Sequence, residues 1–480
     1  MINIGNLGKV SSTIVVVILG TLIGVLTSVN YIIALLCVAI FIGFFIFSVA
    51  LKNPKKVLWV AIIFLPFTSV MSIQFGGAKI SIPDALFLFL GILVFIRIVL
   101  LKKDNPNLSK RYFKVIISYT LLVIFGAVFS ILSFYSKKGD VFLPAWAGSY
   151  NGIMFSSLVS NVRLIIPLFV LLTIPSVIKS RKDYAKVLKL FVIGSLIVTI
   201  YGVYEFAIKK IGLGFSYLLP NHAQSILFFN GGTIRLSGTF GEPSYFAGFL
   251  VLSIFLCVYC KSLEILPKFL LNLIILSQLI VVILTYSTGG YLALLIGTLV
   301  YLFNSGKVKF FISVFILSAT LIALVVFVPS VVEVVSKPFD STSGQMSSNT
   351  DRTNTAKAAM NMFKDSPLYG IGYGNFSFLY NNYRPEGAIF KVEPSIANNV
   401  YADFISSYGL IGLLLLFFIA LQVYKSLKVI KFSYRSEYPF FIGAFTSILI
   451  VYMAYPTFSY AFQWVFYSLL LVRSSLTLKS

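Results

Sequence analysis

The chain alternates between long apolar runs and short polar loops, and this pattern restricts its fold more than any other feature. We count about 14 runs of some 18 apolar residues, each long enough to cross a hydrocarbon layer ~30 Å thick as a helix. They lie near 11–28, 31–50, 57–74, 83–101, 113–135, 157–178, 186–206, 243–260, 268–286, 289–304, 308–329, 397–422, 439–456 and 460–474. The first and last pairs are closely spaced, so the pattern predicts an all-α polytopic transmembrane helix bundle of about 12–14 spans.

The composition excludes a soluble globular protein. Of 480 residues, 58% are hydrophobic and only 11% are charged, which is more apolar surface than a soluble fold of this length can bury. We therefore expect a single transmembrane domain over 1–480. Two exterior loops interrupt it, 207–242 and 331–396, and the second is a large, partly helical loop between spans 11 and 12.

The charge distribution predicts the orientation in the membrane. Basic residues concentrate in alternate short loops, such as LKNPKK at 51–56 and KSRKDYAK at 179–186. By the positive-inside rule these loops face the cytoplasm, which also places both termini there. The net charge of +23 is thus mainly a topology signal. Nucleic acid is not an expected partner, because the basic residues are scattered over separate loops.

The loop 331–396 contains a helical pattern. Thr350 or Asp351 can cap a helix, and Ala356, Met360 and Phe363 recur at helical spacing. Pro367 ends this helix. The pattern is typical of an amphipathic helix that lies on the membrane surface or over a cavity. A lid that only packs on the bundle explains it equally well.

Polar residues at one membrane face are the most informative functional signal, because each is costly in a span unless it is paired or hydrated. Arg163 lies inside the sixth run, and four acidic residues lie at span ends on the predicted outer side. These are Asp84, Glu205, Glu242 and Asp403. Charge pairs placed only for stability have no reason to favour one side, so we interpret the set as an outer-leaflet cavity.

The chemistry available in this cavity favours phosphate binding. Arg163, Arg235 and Arg352 are the arginines best placed to meet there, and guanidinium groups bind phosphate as a bidentate fork. A transition-metal site is not expected, since His222 is the only histidine and no exterior loop has a cysteine. The phosphate-binding loop of ATPases is absent, so we expect no cofactor.

Three stretches resemble the bacterial O-antigen polymerase and O-antigen ligase family. RLSGTFGEPSYFAGFL at 235–250 is similar to its Arg-x-x-Gly-x-Phe-x-acid-Pro element. DRTNTAKAAMNMFKDSPLYGIGYGNF at 351–376 resembles its large exterior loop. Asn398-Asn399, nine residues and Gly409-Leu-Ile-Gly412 look like its His-x-x9-Gly-x-x-Gly element. A position that often reads Ser-Arg-Gly in the family is Ser287-Thr288-Gly289 here.

The resemblance implies a metal-independent glycosyl transfer at the outer face of the membrane. The donor would be an oligosaccharide on a polyprenyl diphosphate, and an acceptor hydroxyl would attack its anomeric carbon. Arg235 and Arg352 match the exterior-loop arginines of the family, and Arg163 matches an intramembrane arginine. The catalytic residues expected are these three with Glu242. The expected location is the bacterial plasma (inner) membrane, with membrane lipids, chain-length regulator and flippase proteins as partners.

One departure from the family pattern changes the expected chemistry. The ligases carry His where this chain has Asn398, and an amide cannot accept a proton at neutral pH. Asn398, Asn399 and Asp403 are therefore expected to bind substrate at the cavity. Either Glu242 or Glu393 is the general base, or the leaving group needs little base assistance. The missing His favours a polymerase.

Three functions remain open from the sequence. The first is polymerisation of lipid-linked repeat units into O-antigen, capsule or a similar surface polysaccharide. The second is ligase-type transfer of finished polysaccharide to an acceptor. The third is a flippase for lipid-linked oligosaccharide. A flippase needs access from both sides, whereas Arg163 and the four acidic residues at span ends lie on the predicted outer side.

Overall fold

The computed structural model describes residues 50–69, 73–75, 78–102, 109–136, 150–211, 235–306, 344–389 and 397–475. The chain divides into two compact units, Met1–Val57 and Leu58–Ser480. The predicted spans 11–28 and 308–329, and all but the last residue of 31–50, lie outside the described residues. So does Glu393. The polar clusters of the site all lie in the larger unit.

The described residues form helices and one short hairpin. The helices are α1 (Pro54–Phe64), α2 (Ile82–Val99), α3 (Lys110–Ser136), α4 (Tyr150–Val177), α5 (Arg181–Ile211), α6 (Pro243–Ser262), α7 (Lys268–Leu284), α8 (Thr288–Ser305), α9 (Gly344–Asp365), α10 (Phe376–Tyr383), α11 (Val400–Ser433), α12 (Tyr438–Ala454) and α13 (Ala461–Ser475). The strands β1 (Ile73–Phe75) and β2 (Ala78–Ile80) pair antiparallel.

The all-α polytopic bundle is confirmed. Seven of the described helices are long and apolar enough to cross a membrane, namely α2, α3, α4, α5, α6, α8 and α11, and the shorter α7 and α12 are also apolar. One predicted span is wrong in extent. The run 57–74 forms a helix only as far as Phe64, because Pro66 disfavours helical backbone before it, and the hairpin follows.

Small residues bring the central helices close together. Helix α6 is the most enclosed of the seven, with 89% of its spanning residues buried. Helices α8 and α12 approach closely: a Cβ added at Gly297 would lie 1.9 Å from Ser447 Oγ. Ser447 Oγ also donates a hydrogen bond to Ala293 O at 2.9 Å. In a membrane the hydrophobic effect does not drive helices together, so helices associate through close backbone approach of this kind.

A buried ion pair joins three helices at the end of the bundle away from the predicted site residues. Glu437, before α12, accepts hydrogen bonds from Arg473 Nε at 2.7 Å and Nη2 at 2.5 Å. Tyr259 of α6 donates to the same carboxylate at 2.6 Å, and the Arg473 guanidinium lies 3.5 Å from the Tyr434 ring centroid. A bidentate pair with additional partners is geometrically specific, so it fixes α6, α12 and α13 relative to one another.

Helix α9 differs from the sequence prediction in its start and in its buried face. It begins at Gly344, so Asp351 lies within the helix rather than at its cap. The Ser, Asn and Thr residues before Asp351 each disfavour a helix by only a fraction of a kcal/mol, so their helix propensities are too weak to decide where it begins. The buried face contains Ala358, Ala359 and Met362, whereas Met360 is 44% exposed. The helix ends at Asp365, close to the predicted stop at Pro367.

Candidate functional site

Two arginines from distant parts of the chain meet around one tyrosine. Arg235 lies in the loop before α6, where its Nε donates to Thr285 O at 3.0 Å and its Nη2 to Tyr286 O at 3.3 Å. Arg352 of α9 lies over the Tyr455 ring, 5.1 Å from its centroid. Tyr455 also interacts electrostatically with Arg235. We call Arg235 and Arg352 the arginine pair.

A carboxylate lies beside the arginine pair. Glu242 precedes α6, and its Oε2 accepts a hydrogen bond from Ser244 Oγ at 3.2 Å. Burial raises the pKa of the Glu242 carboxyl, while Ser244 and the charges of Arg352 and Arg235 oppose the rise. Burial also lowers the pKa of the Arg235 guanidinium, an effect that Tyr455 and Glu242 counteract. The site therefore holds two cations and one acid in a poorly solvated environment.

Tyr455 is the site residue that sequence reasoning missed. It is 3% exposed, its hydroxyl lies 2.6 Å from Ser287 Oγ, and its ring meets that of Tyr245 edge-on with centroids 6.0 Å apart. Ser287 in turn caps α8 by accepting from Gly290 N–H at 3.2 Å. No motif marks Tyr455 in the sequence. The Ser-Thr-Gly stretch was a signal only for its partner, Ser287.

Glu205 anchors the loop that carries Arg235. This carboxylate, at the end of α5, accepts hydrogen bonds from Ser237 N–H at 3.0 Å, Ser237 Oγ at 3.1 Å and Gly238 N–H at 2.7 Å. It also forms an ion pair with Lys209 at 2.5 Å. Glu205 is 1% exposed, so a buried carboxylate replaces water for two backbone amides. Its place at the site end of the bundle thus has a structural reason.

Replacing Glu205 by glutamine is expected to lower the free energy of unfolding by about 2 kcal/mol, because the amide group leaves part of this buried network unsatisfied. Thermal unfolding of the purified protein measures the change. Glu264→Gln makes the same change in an exposed ion pair, with Lys268 at 2.9 Å, so its effect should be below about 1 kcal/mol. Equal losses in the two variants would contradict the anchoring role.

Helix α11 is broken at Gly409, and the segment after α9 fills the break. Gly409 has φ +56° and ψ −151° inside the helix. The carbonyls of Ser406 and Ser407 accept from the amides of Ile371 and Gly372, at 2.8 and 3.0 Å. Backbone that leaves a helix at membrane depth must find new partners, and these bonds supply them.

The same docking uses the amides beyond the break. Leu410 N–H donates to Pro367 O at 2.8 Å, and Ile411 N–H donates to Leu368 O at 3.1 Å. Four backbone hydrogen bonds therefore fix 367–372 in α11. These bonds explain why the Ser-Pro-Leu-x-Gly-x-Gly and Asn-Asn-x9-Gly-x-x-Gly stretches occur together. Each stretch provides the hydrogen-bond partners for backbone groups of the other.

The structure assigns contacts to the predicted substrate-binding residues at the start of α11. Asn398 Nδ2 donates to Asp351 Oδ2 at 2.9 Å, next to Arg352. Asn399 caps the helix, with its Oδ1 accepting from Ala402 N–H at 2.6 Å. Asp403 Oδ1 accepts from Ser407 Oγ at 3.2 Å, one turn along the same helix. Asn398 and Asn399 thus hold α11 and α9 in place.

Arg163 does not lie at the arginine pair but beside Asp84 in an adjoining cavity. It lines this cavity with Ser459 and Tyr460, and it interacts electrostatically with Asp84 and Tyr460. The structure thus brings Arg235, Arg352 and Glu242 together and places the third predicted arginine next to them. Within the described ranges, no cluster of three His, Cys, Asp or Glu residues could hold a metal ion.

Comparison with known proteins supports the family resemblance. Residues 271–417 match the family model described as O-antigen ligase. This range covers Ser287, Arg352, Asn398 and Gly409, while Arg163 and Arg235 precede it. No curated protein sequence matches the chain. The match confirms the resemblance to the O-antigen ligase and polymerase family, and with it a membrane enzyme of surface-polysaccharide biosynthesis.

Proposed function

From this family match and the arginine pair, we propose that the protein polymerises polyprenyl-diphosphate-linked oligosaccharide repeat units into O-antigen, capsule or a similar surface polysaccharide. The observation that carries the proposal is the convergence of Arg235 and Arg352 on Tyr455, from the loop before α6 and from α9. Two neighbouring guanidinium groups in a poorly solvated environment suit a diphosphate. The positive-inside rule supports an outer-face position for this end in the bacterial plasma membrane, because the basic loops lie at the opposite ends of the spans.

The proposed reaction is one displacement at the anomeric carbon of the donor sugar. The acceptor hydroxyl forms the new glycosidic bond as it loses its proton, and the bond between the anomeric carbon and the diphosphate oxygen breaks. The electron pair leaves on the diphosphate. Arg235 and Arg352 stabilise the charge that develops on this leaving group, and low local dielectric strengthens the interaction.

Glu242 has an electrostatic role in this scheme. It lies beside both arginines, which are the groups that bind the departing diphosphate, and it keeps the two like charges together before substrate arrives. A proton acceptor is needed instead on the side of the acceptor sugar. The expectation from sequence that Glu242 is the base is therefore not part of the proposal.

Tyr455 positions the arginine pair. Tyr455→Leu is expected to lower the rate of transfer about 10- to 30-fold, which corresponds to losing a desolvated cation–π contact of about 2 kcal/mol. Tyr455→Phe keeps the ring and loses only the Ser287 contact, so its loss should be about fivefold or less. Elongation of a labelled lipid-linked repeat by purified protein measures both.

Tyr452→Leu is the matched control, because it removes a buried tyrosine of α12 that is close to Tyr455 in the chain but whose hydroxyl contacts Tyr467. It should reduce stability without a specific loss of activity. If Tyr455→Leu and Tyr452→Leu lower the rate per folded molecule equally, Tyr455 has no positioning role.

The overall proposal is tested with the same purified protein in detergent. Elongated products from a labelled lipid-linked repeat are expected, and a flippase cannot make them because detergent leaves no bilayer to cross. Absence of any glycan transfer with a range of repeat units would refute the proposed glycosyltransferase activity. Chain-length regulator and flippase proteins are the partners proposed in the cell.

Ligase activity is the second candidate, and the description of the matching family model as O-antigen ligase favours it. The two candidates differ in what deletion leaves behind. Loss of a polymerase leaves single repeat units on the final carrier, whereas loss of a ligase leaves long polymer on polyprenyl diphosphate. Asn398, which cannot act as a base, supports the polymerase.

A further inference from the structure

A small polar cavity lies beside the arginine pair. The side chains lining it include those of Thr68, Ser81, Asp84, Arg163, Ser459 and Tyr460. Its volume is about 30 Å³. A space of this size admits one or two hydroxyl-sized groups but no sugar ring, since a water-sized probe needs ~10–15 Å³. The cavity is therefore suited to a single hydroxyl group of a larger ligand.

Two of these side chains have unused hydrogen-bonding capacity. Asp84 Oδ2 accepts from Ser81 N–H at 3.1 Å in a capping box, whereas Oδ1 has no hydrogen-bond partner among the residues that the structure describes. Thr68 Oγ1 is buried and also lacks a partner within that part of the chain. A buried hydroxyl without a partner, such as that of Thr68, is unfavourable, and a bound hydroxyl group would satisfy it.

The cavity is held in a fixed relation to the arginine pair. Tyr245 contacts both Tyr455 and Tyr460, with ring centroids 6.0 and 5.5 Å apart. Tyr460 interacts electrostatically with Arg163, Glu242 and Asp84. Tyr245 is therefore a common neighbour of the arginine pair and the cavity.

The backbone reinforces this relation. Ser69 N–H donates to Thr239 O at 2.9 Å, and Thr239 Oγ1 donates to Pro66 O at 2.5 Å. The segment that carries Thr68 is thereby fixed to the loop that carries Arg235. A substrate that reaches both places therefore meets the cations of the arginine pair and the carboxylate of Asp84, and both are held in position before it binds.

We infer that this cavity is the subsite of the attacking acceptor hydroxyl, and that Asp84 is its general base. The inference rests on the proposed function. Asp84 Oδ1 takes the proton of the acceptor hydroxyl, the hydroxyl oxygen bonds to the anomeric carbon, and the diphosphate leaves with its electron pair. Thr68 and Tyr460 orient the hydroxyl, and Arg163 orients the carboxylate.

Asp84→Asn tests this role because the amide oxygen can still accept from Ser81 N–H, so the helix cap is kept. We expect kcat for elongation of a labelled polyprenyl-diphosphate repeat to fall about 100-fold or more, the usual contribution of a general base. The donor KM should stay within about threefold, since the arginine pair is unchanged. Asp84→Glu should restore part of kcat.

Asp183→Asn is the matched control. Asp183 lies at the equivalent position of α5, where its amide bonds to Ser180 Oγ at 3.2 Å and its carboxylate accepts from Lys179 N–H at 3.2 Å. Its replacement changes a helix cap in the same way, away from the cavity, and should leave kcat unchanged. If Asp84→Asn retains the kcat of Asp183→Asn, or raises the donor KM in proportion to the lost rate, the inference is overturned.

Two further results separate this inference from the proposed function. Full activity of an Arg352→Ala variant would refute the diphosphate site whatever Asp84 does. An inactive Arg352→Ala beside a fully active Asp84→Asn would refute only the role of Asp84. Should Asp84→Asn fail to accumulate, Tyr460→Phe tests the same cavity. Its kcat should fall about tenfold for one lost orienting hydroxyl, and an unchanged kcat would overturn the inference.

Discussion

Replacing Arg352 by alanine is expected to lower glycan transfer about a thousandfold, because a guanidinium aimed at the developing charge of a leaving group contributes on this scale. The folded protein should accumulate normally. Arg352 is only partly buried, and its guanidinium rests on the face of Tyr455 rather than inside the packed core. Arg235→Ala should cause a similar loss, although its two bonds to Thr285 and Tyr286 also hold a turn.

Product length and amount from the labelled repeat measure the effect, with protein level checked in the same membranes. Lys357→Ala is the control, since it removes an exposed positive charge from α9 without touching the site. Arg352→Lys keeps the charge but loses the planar guanidinium fork, so its activity should lie between those of Arg352→Ala and Lys357→Ala. Activity near that of Lys357→Ala would remove Arg352 from the mechanism.

Replacing Gly409 by alanine is expected to lower the free energy of unfolding by about 3 kcal/mol or more, the largest stability effect we expect. Its φ of +56° with ψ of −151° lies in a region almost restricted to glycine, which costs an L-residue about 1–3 kcal/mol. A Cβ there would also lie 2.7 Å from Pro367 O and 2.8 Å from Gly370 N. The docked segment must then shift, which disturbs its four backbone hydrogen bonds. Arg352 lies on the helix that leads into that segment, so activity should fall as well.

The chain provides a control that isolates the clash. Gly387 has φ +77°, and a Cβ added there would meet no atom within 4 Å. Gly387→Ala therefore carries the backbone strain alone and should cost about 1–2 kcal/mol. Thermal unfolding of both purified variants gives the comparison. Equal destabilisation would mean that the docking of 367–372 does not depend on the absence of a side chain at Gly409.

The sequence predicts the bundle well because hydrophobic periodicity is set locally. Each predicted apolar run within the described ranges contains a helix, and the structure brings Arg235, Glu242 and Arg352 together. In the sequence, the exterior loops and the family elements link the two arginines, and counting spans puts Glu242 at a span end on the same side. Arg163 lies beside Asp84 instead, since span counting indicates depth and not rotation.

Other features depend on contacts between distant parts of the chain, which no local pattern encodes. Tyr455 lies in a short turn with no motif, and its partner Ser287 is 168 residues away. In the sequence Glu205 is one more acidic residue at a span end. In the structure it accepts hydrogen bonds from the backbone amides of Ser237 and Gly238. The larger apolar side chains of α9 do not predict its buried face, because small residues such as Ala358 and Ala359 form that face.

The break in α11 constrains the length of the protein between two points. Val400 to Tyr408 form about two and a half helical turns between the cap at Asn399 and the left-handed residue at Gly409. A single inserted or deleted residue would rotate Asn398 by about 100° about the helix axis, away from Asp351. Natural relatives should therefore keep the number of residues in this interval constant, so an alignment of their sequences should contain no gap there.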